Sequence, residues 1–329
     1  MSNEHDNAFA ATWMGIKNTF VRGPAIGELS EAMRGEGRVA LVTGASSGLG
    51  FAIAVELARR GMRVIGAART ATPALTERLR AASGSDAIDM LPVDLADLDS
   101  IDALLDALSE RKLVLDLLVC NAAIVPTGDA RTAQGLEQMF VVNYLANHVL
   151  LRGLLERELL AARERQPRVV FVASEAHRGA KPMSIDPLGE YEAFSIGEVL
   201  ERYGTYKLAL LTLVSELARR LEPRGIAVHS TCPGAVDSNL AREAPRWSKP
   251  LLRVAFRLFF RAPAEAAKPT LYLCLAPHLE GRTGVYLHQW VEKDPDARTL
   301  DPALGRAQWD ATEGLLARLG RASASTSGA

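Results

Sequence analysis

Tyr203 and Lys207, in the stretch Tyr203-Gly-Thr-Tyr-Lys207, stand four residues apart. On a helix that spacing puts a phenol and an ammonium on one face, one turn apart. A free tyrosine titrates near ~10, too high for easy proton exchange at neutral pH, but a neighbouring cation favours the phenolate. The pair can therefore serve as a proton donor and acceptor. A half-buried tyrosine beside a snorkelling surface lysine has the same spacing, so the rest of the chain must decide. Ser174 closes the run R-V-V-F-V-A-S, a buried-strand pattern that delivers a hydroxyl to the carboxyl end of a strand, where open α/β sheets bind ligands. Asn143, in V-V-N-Y-L-A-N-H, is a polar residue disfavoured inside a helix, marking a kink, a buried contact or a functional group.

A second chemistry-bearing stretch precedes these. After V-A-L-V come Thr43-Gly44-Ala45-Ser46-Ser47-Gly48-Leu49-Gly50 and then a helical pattern reaching Gly61. This reads as strand, glycine turn, helix. Glycines let the backbone turn sharply and approach a pyrophosphate, while the helix N-terminus offers unpaired amides and a favourable dipole. Gly44, Ser46, Ser47, Gly48, Leu49 and Gly50 are thus candidate phosphate-binding residues.

The GxxxGxG turn, followed at distance by YxxxK, resembles the short-chain dehydrogenase/reductase family over about residues 38 to 290. The resemblance implies roles position by position. Asp94-Leu95 matches the acidic position that contacts adenine, although Asp97 and Asp99 are also placed to cap the next helix. In Cys120-Asn121-Ala122-Ala123 the family usually has Asn-Asn-Ala-Gly; Asn121 carries over as a brace of the central sheet, with Ala122 and Ala123 keeping the ribose side open. Asn143, Ser174, Tyr203 and Lys207 match the catalytic set, Asn143 holding a water in the proton relay. Pro233-Gly234-Ala-Val236-Asp-Ser238 resembles the nicotinamide-side loop, with Ser238 in place of the commoner threonine. Two departures stand out: the stretch between Ser174 and Tyr203 is long, and Tyr206 replaces a common serine. Similar lengthening occurs in the branch resembling retinol and steroid dehydrogenases and protochlorophyllide reductase.

Elements able to position these residues alternate along the chain. Strands are expected near 39–43, 62–67, 88–93, 115–120, 168–173, 226–231 and 284–288, with helices near 48–60, 73–82, 98–109, 133–160 and 196–222. Such alternation gives a doubly wound Rossmann fold: a seven-stranded parallel sheet flanked by helices on both faces. On the last helix Tyr203, Lys207, Leu210, Leu211, Val214, Leu217 and Ala218 share a stripe, so the pair faces the core. Residues 38–292 form the expected dehydrogenase/reductase domain, 1–37 an N-terminal arm, and 293–329 a C-terminal extension with a disordered-looking tail, A-S-A-S-T-S-G-A.

The chain has 329 residues, 48% hydrophobic and 23% charged, with net charge −1. That suits one large α/β core and gives no general reason to bind nucleic acid. Cys120, Cys232 and Cys274 lack CxxC spacing and read as core thiols. No metal-ligand spacing such as HExxH occurs, and a cytoplasmic enzyme is expected, without a spanning segment. The strand V-I-G-A ends at Ala68 with Arg69 and Thr70 following. No carboxylate stands there to take a ribose 2′-hydroxyl, and a guanidinium suits a 2′-phosphate, so NADP is expected over NAD, which remains usable.

After the Pro-Gly loop, residues 246–261 join Trp247, Phe256 and Phe260 to Arg253, Arg257 and Arg261. This basic amphipathic stretch is where the family places its substrate-covering helices, implying a lid over an apolar carbonyl or alcohol (retinoid, steroid, lipid or polyketide-like). The same composition suits peripheral contact with an anionic membrane. A homo-oligomer is expected. Three other functions fit parts of the pattern: a carbon–carbon double-bond reductase resembling protochlorophyllide reductase, a non-catalytic NADP-sensing protein, and a dimerisation scaffold.

Overall fold

A computed structural model describes residues 23–126, 128–162, 164–234 and 261–322. One mixed sheet runs through it: β1 (Val39–Thr43), β2 (Arg63–Ala68), β3 (Ile88–Pro92), β4 (Leu117–Cys120), β5 (Arg168–Val172), β6 (Ala227–Cys232), β7 (Tyr286–His288) and β8 (Val291–Glu292). Spatial order is β3-β2-β1-β4-β5-β6-β7-β8. The pairs through β7 are parallel, while β8 returns antiparallel on β7. The sheet thus has eight strands among the described residues rather than the seven expected. The added one is two residues long and folds back through a turn in which Gln289 takes φ 55°.

The strands are apolar on both sides because both sides are covered. Alternate residues of β1, β4 and β5 go to opposite cores: Leu41, Leu118, Val169 and Phe171 to one, Ala40, Val42, Val119 and Val170 to the other. The first core is closed by α3 (Leu98–Glu110), α4 (Ala146–Glu156), α5 (Val199–Leu221) and α7 (Pro302–Arg318); the second by α1 (Gly48–Arg59), α2 (Pro73–Ser83) and α6 (Pro263–Leu275). None of the described helices is long and apolar enough to cross a membrane.

Three local features shape the site. The helix expected over 133–160 begins only at Gln138, because Glu137 caps it, its carboxylate accepting from the amides of Met139 and Phe140 at 2.7 Å each. Its second turn, Val141–Leu145, is π-helical and carries Asn143; such bulges widen the backbone spacing and recur at functional sites. Residues 293–322, read from sequence as an extension, pack against the first core: Thr312 meets the Tyr144 hydroxyl at 2.6 Å, and Gln308 donates to the Ala209 carbonyl at 2.8 Å.

Candidate active site

Between β1 and β4 the strand order reverses direction, opening the crevice where doubly wound sheets bind nucleotides. The glycine turn lines it. Gly44 sits at φ 71° and Gly48 at φ 56°, conformations that L side chains rarely adopt. A Cβ on Gly44 would lie 2.9 Å from the Asn121 amide nitrogen. Ser47 is the N-cap of α1, yet its side chain caps nothing, and no acid occupies the first turn. Amides left in that state suit an anionic pyrophosphate, so these residues fit a dinucleotide. Leu49 and Gly50 are buried at the start of α1, and Gly50 packs where a Cβ would strike Asn121 and the Gly44 carbonyl.

Asn121 ties the crevice together: its amide donates to the Thr43 carbonyl at 2.9 Å. Thr43 Oγ1 accepts from the backbone amides of Asn121 and Ala122 at 3.0 and 3.1 Å. Thr43 opens the glycine motif, but sequence alone gave it no task. Asp94 accepts from the Ala96 amide at 3.0 Å through one oxygen, and Asp97, not Asp94, caps α3. Leu95 is buried and Ala122 and Ala123 are half-buried. Arg69 and Thr70 are exposed at the end of β2. A second arginine, unnoticed in the sequence, reaches the glycine turn: Arg78 on α2 stacks 4.6 Å above the Phe51 ring and donates to the Ser46 carbonyl at 2.6 Å. Pro233 is buried after β6, and Gly234, at φ 82°, lies against Gln289. Val236, Ser238 and the stretch 246–260 lie outside the described residues.

Ser174, Tyr203 and Lys207 converge at the carboxyl end of β5. Ser174 N-caps a 3₁₀ turn, Glu175–Gly179, and its hydroxyl lies close enough to the Tyr203 phenol to stabilise the ionised form. The two can meet because Gly204, next to Tyr203, leaves room: a Cβ there would stand 2.9 Å from the Ala176 carbonyl. Lys207 is 2% exposed. Its ammonium donates to the Val172 carbonyl at 2.9 Å and lies 5.7 Å from the Tyr203 ring centroid. Asn143 is buried, and both ends of its amide pair with the Ile124 backbone at 2.9 Å. Its side chain therefore braces the loop leaving β4, with one acceptor lone pair and one N–H left over for a further partner. Tyr206, the departure from serine, reaches the capping carboxylate of Glu137 and so ties α5 to the π-helical turn.

The electrostatics correct one expectation. Lys207 was expected to draw the Tyr203 pKa down; instead burial pushes the phenol up to about 12, the Ser174 hydrogen bond pulling back only in part. Burial also drives Lys207 down to about 8, partly offset by the thiols of Cys232 and Cys120 beside it. Desolvation outweighs any attraction: the ammonium lies 5.7 Å from the Tyr203 ring centroid and gives one of its donors to the Val172 carbonyl. At neutral pH the tyrosine thus keeps its proton and the lysine stays largely charged.

A family model of short chain dehydrogenases matches residues 38–185. Retinol dehydrogenase 14 of Homo sapiens is 33% identical over 300 residues, covering 86% of this chain and 87% of that protein. Polyprenol dehydrogenase of Mus musculus is 37% identical over 311 residues, covering 88% and 90%. Among solved structures, the NADP active-site complex of RhlG from Pseudomonas aeruginosa superposes with a TM-score of 0.59 at 26% identity, covering 79% of this chain and 97% of that one.

Proposed function

Because the chain belongs to the short-chain dehydrogenase/reductase family and is an oxidoreductase served by a nicotinamide cofactor, we propose that it is an NADP-dependent carbonyl reductase or alcohol dehydrogenase acting on apolar substrates. The observation that carries the chemistry is the Ser174–Tyr203 hydroxyl pair, with the buried Lys207 one turn on.

Bound in the crevice, the cofactor supplies or accepts hydride. In the reducing direction Ser174 and Tyr203 donate hydrogen bonds to the substrate carbonyl oxygen, polarising it. Tyr203, neutral at working pH, passes its proton to the emerging alkoxide. Lys207 has three N–H donors, of which one goes to Val172; the others serve the ribose hydroxyls and the phenolate left after proton transfer. Asn143 keeps the loop after β4, and hence Ala122 and Ala123, open beside the ribose.

NADP is favoured by Arg69 and Thr70 at the end of β2, by the lack of a carboxylate there, and by Arg78 over the adjoining turn. An apolar substrate is favoured by the lipid alcohols named for the relatives and by the aromatic and basic residues of 246–261, which also suit docking at an anionic membrane. The test is a screen of purified protein against all-trans-retinal, a 3-ketosteroid, decanal and a polyprenal, following NADPH and NADH absorbance. Turnover of at least one bulky apolar carbonyl, faster with NADPH than with NADH, is expected. Turnover confined to small polar carbonyls, or to a carbon–carbon double bond, would overturn the substrate assignment.

A further inference from the structure

The 3₁₀ turn that begins at Ser174 is gripped from the C-terminal side by residues more than a hundred positions away. Glu175, 8% exposed, accepts from the Tyr286 hydroxyl at 2.5 Å, from Lys293 Nζ at 2.8 Å and from Arg178 Nε at 3.0 Å. Arg298 donates to the carbonyls of Ala180 at 2.7 Å and Arg178 at 3.3 Å. At the centre is His177, 0% exposed, its ring edge-on to Tyr286. The Asp296 backbone amide lies 3.1 Å from His177 Nε2, so that nitrogen accepts and carries no proton. The imidazole proton must then sit on Nδ1, which donates to the Ser174 carbonyl at 2.6 Å. Two main-chain partners, one donor and one acceptor, thus fix a single neutral tautomer.

We propose that His177 is a positioning residue: through its Nδ1–H it holds the main chain of Ser174, and through Nε2 it anchors that hold to Asp296 in the C-terminal segment, so that the serine hydroxyl stays aimed at Tyr203. This rests on the reading of Ser174 as the hydroxyl that orients the substrate carbonyl. A serine carried on a strand end is held by the sheet only as far as Ala173, whose amide donates to Thr231. Beyond that point the main chain follows the 3₁₀ turn, and a shift of about 1 Å at a reacting group can cost about 100-fold in rate. The brace also explains why residues 293–298 run against this turn.

The test uses the full chain with two variants that keep a polar side chain. His177→Asn places an amide N–H where Nδ1 stood; His177→Gln places none there. With decanal and NADPH, His177→Gln should lose about 10- to 100-fold in kcat, with KM and NADPH affinity changing no more than about three-fold, and His177→Asn should recover most of the loss. In a Ser174→Ala background His177→Gln should cost nothing further, since it acts through the serine. Parental kcat in His177→Gln, or a loss that multiplies onto that of Ser174→Ala, overturns the proposal. Parental turnover in Ser174→Ala alone would instead sink the reading of the serine. Independently of any substrate, amide hydrogen exchange over 174–180 should quicken in His177→Gln and stay near parental in His177→Asn, with β1 unchanged in both. Unchanged exchange over 174–180 in His177→Gln also overturns it.

Discussion

Ser174, Tyr203 and Lys207 gather at the end of β5 and Asn143 braces the loop after β4, Lys207 and Asn143 each hydrogen-bonded to main chain. At the end of β2, Arg69 and Thr70 stand exposed, and even Arg78 is held by a single carbonyl and a ring face. The contrast suits the roles proposed for the two ends. Proton transfer depends on placement to a few tenths of an ångström, so its groups are over-determined by packing. Choosing between a ribose hydroxyl and a ribose phosphate needs only charge of the right sign within reach, which a solvated side chain can provide. Damage at the first end should therefore appear in turnover, and at the second in the choice of cofactor.

The largest effect is expected at Tyr203. Tyr203→Phe deletes the transferable proton and little volume, so kcat should fall by about 100- to 10,000-fold while NADPH binding stays near parental. Rates equal to the parent's would remove the tyrosine from the chemistry. Lys207→Met should weaken both cofactor binding and turnover, since the proposed mechanism gives its ammonium to the ribose as well as the phenolate. Next comes Gly204→Ala. Helix propensity alone would favour alanine by about 1 kcal/mol, but the new Cβ meets the Ala176 carbonyl, in a turn braced on its far side. We expect net destabilisation of about 1–2 kcal/mol and a loss in kcat exceeding any in NADPH affinity. A stabilised, fully active variant would mean that the turn yields, contradicting the over-determined picture.

At the exposed end, Arg69→Asp removes a charge-assisted contact and adds repulsion, so kcat/KM with NADPH should fall by about 2–3 kcal/mol equivalent while NADH is spared. An unchanged ratio of the two efficiencies would show that the arginine points elsewhere. Arg78→Ala should move the same ratio in the same direction but less, because its guanidinium already serves the Ser46 carbonyl.

The same contrast governs what could be read from the sequence. The strands and helices around the crevice were legible because their signals are local: β1 runs over Val39–Thr43 as expected, and the long helix carrying Tyr203 was placed within three residues at its start and one at its end. Leu210, Val214, Leu217 and Ala218 of the expected stripe do enter the core. What escaped depends on distant partners. The grip of Lys293, Asp296 and Arg298 on the turn after Ser174 spans more than a hundred residues and follows no period. The start of the helix at Gln138 depends on Glu137 folding back onto its own amides, and β8 exists because of a left-handed turn at Gln289. Spacing places a cation beside the phenol but says nothing of how far packing desolvates the two groups, and that desolvation sets the direction of the tyrosine's pKa.

The smallest effect isolates burial from function, on the side of the sheet away from the proton relay. His229 on β6 is 0% exposed, and neither ring nitrogen has a hydrogen-bond partner among the described residues. Burial, reinforced by the charges of Arg168 and Arg282, holds its pKa near about 3. The folded state thus keeps His229 neutral, whereas the unfolded chain binds a proton below ~6.5. A depressed histidine pKa makes stability complete above ~6.5 and erodes it as pH falls from there toward about 3. At pH ~5 the cost from this residue is about 2 kcal/mol. His229→Leu removes that titration and two unpaired buried nitrogens at similar volume, so it should gain about 1–2 kcal/mol at pH ~7.5 and more at pH ~5. Some acid sensitivity will remain, because His288 is also held low, at about 4. Urea unfolding of parent and variant at the two pH values measures both effects, with NADPH turnover expected to stay parental. If parent and variant lose the same stability between those pH values, His229 is not the titrating group, and its ring must be paired with water or charged in the fold.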